Sequence, residues 1–364
     1  MGKYIGKYLK KRCKKKKNVG LILLLVILSF LLTVLLGGVI YFNSTLNQIN
    51  RFEENGETLS TEELELILQE QIQVDDSLVE GVTIGTVPSE LDVMTDEEEV
   101  IGGKIINILL IGQDTRDAKQ RGLSDSMILI SVNTETKKLV MTSFMRDLYI
   151  DIPSDRGGYY RQRINTAYAV GGMEKLNATI AHNFGVEVDN NIEVDFSGFQ
   201  TIVDAMDGID IELTKAEANY MNSDSGQRWK LQEGMNHLDG EQALCYARIR
   251  KIDSDFYRTE RQRIVLNKLF EKVKDMGVTE LLSLAKEFIP LITTDMTNSE
   301  ITGYIMELAP ILPELEVITQ RIPVDGSWWG SNVGTEEQPM YVIYCNLTSN
   351  RELLRDTIGV ISEG

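Results

Sequence analysis

The sequence predicts an α/β fold: a three-layer domain with a mixed central β-sheet flanked by helices, preceded by one transmembrane helix and a stem. Three observations lead to this prediction. KIINILLIG, which starts at Lys104, is a continuous apolar run, typical of a strand buried on both faces. MILISVN and LVMTSF follow it, and the short NTETKK turn between them makes them antiparallel neighbours. Further along, strand-like and helix-like segments alternate, as in α/β domains.

The charge pattern divides the 364 residues into four parts. Residues 1–18 form a basic tail with nine Lys or Arg among the first 17 residues and no acid. Residues 19–42 are apolar and uncharged, and about 20 such residues cross a bilayer. The positive-inside rule places the tail in the cytoplasm and the rest outside the cell. Residues 43–103 are an acidic extracellular stem, and residues 104–364 form the extracellular globular domain. We therefore expect a single-pass protein of the cell membrane.

Composition excludes several functions. A net charge of −18 and a pI of about 4.7 argue against nucleic-acid binding. The spacing of the three cysteines fits neither a disulfide framework nor a metal site, and Cys245 and Cys345 are either buried thiols or one bridge. With only two histidines, His-dependent catalysis is not expected.

Periodicity predicts the remaining elements. RINTAYAVGGMEKLNATIAHNFG reads as a helix that ends at Gly185. NIEVDFSGFQTIVDAMDGIDIEL reads as strand, helix and strand, and a helix then leads into a strand ending at Arg250. Later predicted elements are helices at Arg258–Lys274, Thr279–Ile289, Ser299–Leu308 and Arg351–Ile361 and strands at Val317–Ile322 and Tyr341–Cys345.

Charged residues are predicted to meet at one edge of the sheet. If the first three strands pair antiparallel in sequence order, the loop after the first strand lies beside the end of the third. Asp114, Asp125 and Arg146 then come together there. Two carboxylates near a diphosphate are suited to Mg²⁺. Ordinary loop acids that cap turns are the alternative.

The stretch YARIRKIDSDFYRTERQR is a second candidate part of the site. It is cationic in an acidic chain, and Arg248 and Arg250 share a face if their segment is a strand. Arg258 and Gln262 share a face if theirs is a helix. Converging guanidiniums indicate a phosphate or diphosphate ligand. A solvated, salt-bridged surface is the alternative, and Lys251, Arg261 and Arg263 are predicted to be solvated or structural.

A Gly-containing segment, RGGYYRQR, adds further arginines at 156, 161 and 163. We interpret it either as a substrate-contacting flap or as a solvated loop.

Four motifs together resemble the LytR–CpsA–Psr family of membrane-anchored cell-wall glycopolymer ligases. They are LLIGQDTR (109–116), SDSMIL (124–129), SFMRD (143–147), and GMNHLDGEQALCYARIR (234–250) continued by DFYRTERQR (255–263). The resemblance implies a mixed sheet flanked by helices and an apolar tunnel for a prenyl chain. The chain departs from the family pattern at Met145, Leu148 and Arg263, where Pro, Ser or Thr, and Gln are common.

The resemblance also implies the site and the reaction. Asp114 and Asp125 correspond to carboxylates associated with Mg²⁺. The expected substrate-binding residues are Arg116, Arg146, Arg248, Arg250, Arg258 and Gln262, and the expected catalytic residues are Arg146, Asp147, Arg248 and Arg250. The implied enzyme is a phosphotransferase that moves a glycopolymer, such as teichoic acid or capsule, from a polyprenyl diphosphate to a peptidoglycan hydroxyl. Hydrolysis of the same lipid and non-catalytic lipid-binding regulation are the alternatives.

Overall fold

The computed structural model describes residues 44, 46–51, 105–113, 123–274, 276, 278–335 and 338–359. The chain divides into two compact units, residues 1–48 and 49–364. Only residues 44 and 46–48 of the first unit are described, so the fold below is that of the second. The predicted tail and transmembrane helix lie outside the described residues. In the part that is described, no helix is long and apolar enough to span a bilayer.

The elements of the second unit are as follows. The strands are β1 (Asn50–Arg51), β2 (Ile105–Gln113), β3 (Ser124–Asn133), β4 (Lys138–Phe144), β5 (Tyr149–Pro153), β6 (Tyr159–Arg163), β7 (Asn190–Asp195), β8 (Ile209–Leu213), β9 (Gly234–Leu238), β10 (Ile292–Thr294), β11 (Glu316–Ile322), β12 (Trp328–Thr335) and β13 (Gln338–Cys345). The helices are α1 (Ile164–Phe184), α2 (Phe196–Ala205), α3 (Lys215–Asp224), α4 (Gly240–Ala247), α5 (Asp255–Val273), α6 (Val278–Phe288), α7 (Asn298–Leu308) and α8 (Leu347–Ile358).

A mixed sheet forms the centre of the domain. Among the described residues its strand order is β1-β10-β7-β2-β3-β4-β11. As predicted, β2 and β3 are antiparallel, and so are β3 and β4. The Asn133 side chain fixes the turn between β3 and β4 by accepting hydrogen bonds from the backbone N–H groups of Glu135 and Thr136. The end of β2, the start of β3 and the end of β4 therefore lie at one edge, called the site edge below.

Helices cover both faces of this sheet, so the predicted three-layer architecture is confirmed. One face, with Leu109 and Leu129, packs against α1 and α8. The other face, with Ile128 and Met141, packs against Leu266 of α5 and its neighbours. The strand β2 lies between these two cores, which is why its sequence is continuously apolar. The turn at Gly185, with a positive φ, ends α1 as predicted.

Two residues of the predicted stem belong to the sheet. Asn50 and Arg51 pair in parallel with β10. The Arg51 guanidinium hydrogen-bonds the backbone carbonyl of Met296 and the side chain of Asn298. Asn50 and Arg51 are therefore held by the domain through main-chain and side-chain bonds.

One predicted local structure is wrong and another holds in part. The segment containing Arg248 and Arg250 is not a strand, because Asp239 and Gln242 form a capping box that starts α4, and this helix extends to Ala247. The segment RGGYYRQR is a solvated loop only in its first half, where residues 156–158 form an exposed turn, whereas its second half is β6 of a hairpin with β5. Within that hairpin, the Arg161 guanidinium donates to both carboxylate oxygens of Asp151. Contact of this segment with substrate stays a prediction.

Candidate active site

Three guanidinium groups from separate parts of the chain meet at the carboxylate of Asp125, on β3. Nη1 of Arg146, which follows β4, lies 3.1 Å from Asp125 Oδ1. Nη2 of Arg250, in the loop between α4 and α5, lies 3.2 Å from the same oxygen. Nη1 of Arg258, on α5, lies 3.7 Å from it. The predicted meeting of Asp125 and Arg146 at the site edge is thus confirmed.

A second carboxylate, that of Asp255, faces the same arginines. Asp255 is the first residue of α5, where the helix dipole favours a negative charge. Its Oδ1 lies 2.9 Å from Arg258 Nε and 3.7 Å from Arg250 Nε, and its Oδ2 lies 3.7 Å from Arg146 Nε. Asp125 and Asp255 therefore lie between the three guanidiniums and balance their mutual repulsion. Asp255 was not singled out from the sequence as a site residue, although its i, i+3 spacing from Arg258 was a usable signal.

Behind these residues, Asp147 and Arg163 are buried. Asp147 Oδ2 lies 3.7 Å from Arg146 Nε, and Arg163 Nη1 donates to Asp147 Oδ1 at 3.3 Å. Burial raises the pKa of Asp147, an effect that the charge of Arg146 opposes. The contacts of Asp147 thus hold Arg146 in place from the protein side. Arg163, expected on a mobile or solvated segment, is a buried part of this network.

The electrostatics keep Asp125 and Arg258 ionised at neutral pH. Burial would raise the pKa of Asp125, but the charges of Arg258, Arg146 and Arg250 outweigh it and lower the pKa to about 2. Burial lowers the pKa of Arg258 to about 10, although Asp255 opposes this. Among the described residues of the cluster, the guanidiniums of residues 146, 163, 250 and 258 face three carboxylates. The cluster therefore keeps a net positive charge that suits an anionic ligand.

The cluster is open to solvent mainly at Arg250. Arg258 is 1% exposed, whereas the side chain of Arg250 is 34% exposed. Gln262, one helical turn after Arg258, accepts a hydrogen bond of 3.1 Å from the Ser126 hydroxyl through its Oε1. The amide nitrogen of Gln262 remains a donor beside the cluster. Gln262 therefore links α5 to β3 at Ser126, the residue after Asp125.

Arg248 is placed differently from the other predicted arginines. It is exposed, and its guanidinium lies over the Phe196 ring at 4.2 Å from the centroid. The ion pairs of Asp125 and Asp255 come from Arg146, Arg250 and Arg258 instead. The side chains of Arg248 and Arg250 point in different directions because α4 ends at Ala247, with Arg248 as its C-cap and Arg250 in the loop that follows. Asp114 and Arg116 lie outside the described residues.

The other predicted features have simple positions. Cys245 and Cys345 are free, half-buried thiols, and burial raises the pKa of each to about 12. Arg261 is structural, as one interpretation held: its Nε donates to Glu217 at 2.7 Å, and it also pairs with Asp253. His237 bonds Asp210 on the neighbouring strand.

This fold and cluster define a family. The LytR_cpsA_psr family profile matches residues 86–342, and the chain belongs to that family. The curated relatives include "Polyisoprenyl-teichoic acid--peptidoglycan teichoic acid transferase TagV" of Bacillus subtilis, 30% identical over 201 residues, which are 54% of this chain and 51% of TagV. The chain thus spans about half the length of TagV. "Regulatory protein MsrR" of Staphylococcus aureus is 31% identical over 69% of this chain and 73% of MsrR.

Solved structures share the architecture. One of them is TagT bound to LI-WTA, whose sequence is 26% identical to this chain. It aligns with a TM-score of 0.57 over 73% of this chain and 95% of TagT. The crystal structure of B. subtilis TagT is another. The mixed α/β fold with helices on both sides of the central sheet is therefore the fold of this family.

Proposed function

We propose that the protein is a phosphotransferase that moves a glycopolymer from a polyprenyl diphosphate carrier to a hydroxyl of peptidoglycan. The observation that carries this proposal is the convergence of Arg146, Arg250 and Arg258 on one edge of the sheet. Arginine forks match the paired oxygens of a diphosphate, which carries enough negative charge to replace part of the carboxylate pairing. The names of TagV and of the TagT complex with LI-WTA support the same substrate class.

The chemistry requires charge stabilisation more than a strong nucleophile. An acceptor hydroxyl oxygen attacks the sugar-side phosphorus and forms a new P–O bond. The bond from that phosphorus to the bridging oxygen breaks, and polyprenyl phosphate leaves with the electron pair. The hydroxyl proton passes to a base that the described residues do not identify. Preorganised guanidiniums stabilise the charge that builds up on the phosphoryl oxygens, and loss of one such contact costs on the order of 10²–10³ in rate.

The roles within the cluster follow from burial. Arg250 and Arg258 are proposed to contact the diphosphate directly, and Arg146 is held towards it by Asp147 and Asp255. Asp147 is a positioning residue in this scheme, because it is buried behind Arg146 rather than exposed to an acceptor. Arg248, at the exposed rim, is proposed to contact the substrate away from the reacting phosphorus.

Mg²⁺ is the proposed cofactor, and Asp125 fits it as a ligand. Its low pKa keeps the carboxylate ionised, and the contacts from the three arginines reach Oδ1, which leaves Oδ2 for a cation. Asp114, the second proposed ligand, belongs to the loop outside the described residues, as does Arg116, a proposed substrate contact. An Mg²⁺ ion keeps most of its waters and takes only one or two protein carboxylates. Bound there, Mg²⁺ would neutralise diphosphate charge.

The proposed location follows from the substrate. A polyprenyl diphosphate is anchored in the membrane, so we propose that residues 19–42 span the cell membrane once and that the domain is extracellular. In this arrangement the partners are the lipid-linked glycopolymer, peptidoglycan and the membrane, with no nucleic acid.

A reconstituted reaction tests the proposal. The full-length protein in detergent is incubated with glycan-labelled lipid-linked polymer, Mg²⁺ and peptidoglycan. We expect label to become bound to peptidoglycan only when the acceptor is present. Exclusive release of soluble glycan phosphate would identify a hydrolase instead.

The name of MsrR favours a second candidate, a non-catalytic regulator that binds lipid. The two candidates differ in cells. Under regulation without catalysis, Arg248→Ala and Asp125→Asn variants would both fully complement a deletion strain. Under transfer, Asp125→Asn fails to complement.

A further inference from the structure

Arg263 is a buried cation on the sheet-facing side of α5. Thr259, Arg263, Leu266 and Phe270 follow one another at helical spacing, so they share one face of the helix. Thr259 contacts Met145 just beyond β4, and Leu266 and Phe270 pack against the sheet. Arg263 therefore lies between helix and sheet, and it is only 8% exposed.

Among the described residues, two of the three nitrogens of the buried Arg263 guanidinium lack a hydrogen-bond partner. Its Nε and Nη1 are buried and have no hydrogen-bond partner in the described part of the chain. Burial lowers the pKa of Arg263 to about 10, the charge of Glu260 opposes that change, and repulsion from Arg321 adds to it. Breaking the pairing of a buried charge normally destabilises a protein strongly, so an unpaired guanidinium here calls for a counter-ion.

A second cation and a hydroxyl lie on the same side of the sheet. Arg321 of β11 pairs in register with Ser143 of β4, and Ser143 lies two residues after Met141 on the face that packs against α5. The Ser143 hydroxyl is buried and has no hydrogen-bond partner among the described residues. The Arg321 guanidinium is stacked at 4.5 Å on Phe256, donates to the Pro323 carbonyl at 3.1 Å, and also pairs with the exposed carboxylate of Asp325.

We propose that Arg263, Arg321 and Ser143 form a second oxyanion site that takes a phosphate group. Two guanidiniums and a hydroxyl are the donors that phosphate oxygens accept from. The Arg321 side chain is 18% exposed, so the site opens along Arg321. This site lies next to the candidate active site. It is about one side-chain position further from the site edge than Ser126, the hydrogen-bond partner of Gln262. The phosphate group comes either from a lipid-linked polymer bound in that site or from inorganic phosphate. The site itself does not depend on whether transfer occurs.

The test is a phosphate titration of thermal unfolding with the full-length protein in detergent. Inorganic phosphate is added at constant ionic strength against chloride, because surface charges respond to salt alone. We compare the wild type with Arg263→Gln and Arg321→Gln. Arg228→Gln is the matched control, since Arg228 is exposed and pairs with Glu241 far from this face.

We expect phosphate to raise the unfolding midpoint of the wild type and of Arg228→Gln equally. Arg263→Gln loses a charge-assisted hydrogen bond, so it should need about 10- to 100-fold more phosphate for the same rise. Without phosphate, Arg263→Gln should unfold at a higher temperature than the wild type, because the unpaired charge is gone. A phosphate response in Arg263→Gln and Arg321→Gln equal to that of Arg228→Gln would overturn the proposal, as would the lack of any response in the wild type. Arg321→Gln preserves the test if Arg263→Gln does not fold.

Two additional arms separate this site from the candidate active site and identify the source of the phosphate. The first arm uses Arg258→Gln, which removes part of the proposed transfer site. In this background, phosphate should still raise the unfolding midpoint, and adding Arg263→Gln should still weaken that rise. With saturating polyprenyl diphosphate present, a remaining response to inorganic phosphate points to a free ion. Its disappearance, with weaker lipid binding by Arg263→Gln, points to a phosphate of the lipid-linked ligand.

Discussion

Asp125 is the counter-ion of three arginines, and its replacement by Asn should destabilise the fold as well as the site. The substitution keeps the size of the side chain and removes its charge. Among the described residues, Arg146, Arg250 and Arg258 then keep Asp255 and Asp147 as nearby carboxylates. Their mutual repulsion is no longer balanced, and the fully buried Arg258 is the most affected.

The pKa of Asp125 gives the magnitude. It falls from 3.8 to about 2 on folding, and a shift of this size corresponds to about 2 kcal/mol of stability. Because the folded pKa is the lower one, this contribution is complete above about pH 4 and is lost as the pH falls to about 2. Removing one member of a buried ion pair costs about 3–5 kcal/mol in other proteins. We therefore expect Asp125→Asn to lose about 2–5 kcal/mol at neutral pH.

Urea unfolding of the full-length protein, followed by tryptophan fluorescence, measures this loss. Asp210→Asn is the control, because the Asp210 carboxylate is exposed and pairs only with His237. The difference between wild type and Asp125→Asn should be constant from neutral pH to about pH 4 and shrink below it. A loss at pH 7 no larger than that of Asp210→Asn would refute the reasoning.

Three further changes have defined outcomes. Gly240→Ala should lower stability by about 1–3 kcal/mol, because its Cβ would lie 2.2 Å from the Gln200 carbonyl oxygen, and an unchanged urea midpoint would contradict that packing. Glu217→Gln removes the carboxylate that lies 2.7 Å from the buried Arg261, but Asp253 still pairs with Arg261, so we expect a loss of about 1–3 kcal/mol in the same assay, and an unchanged urea midpoint would contradict it. Arg248→Ala should change stability by less than about 0.5 kcal/mol because Arg248 is exposed. It should reduce transfer on the order of 10-fold, because one substrate contact away from the reacting phosphorus contributes about 1 kcal/mol, and full transfer activity would exclude Arg248 from the site.

The sheet was predictable because its signals are local. The apolar run of β2 and the short turn between β3 and β4 determine strand type and pairing, and this pairing alone brings Asp125 next to Arg146. Helix α5 was predictable from its periodicity, which also places Arg258 and Gln262 on the side facing β3.

The details of the site depended on tertiary contacts. The capping box at Asp239 extends α4 into the arginine-rich stretch, so Arg248 and Arg250 separate instead of sharing a strand face. Arg163 resembles any surface arginine in sequence, and only the β5–β6 hairpin brings it to Asp147. Arg263 was interpreted as solvated or structural, and its burial without a partner follows from the position of α5 over β4 and β11.

The fate of the sugar-side phosphorus tests the proposed reaction most directly. After incubation of full-length protein with lipid-linked polymer, Mg²⁺ and peptidoglycan, the ³¹P spectrum of the washed, enzymatically solubilised wall distinguishes the products. The proposed transfer predicts a new phosphodiester signal in the wall fraction, absent with Asp125→Asn, and polyprenyl phosphate as the other product. A phosphomonoester on soluble glycan, with no phosphodiester in the wall fraction, would contradict it.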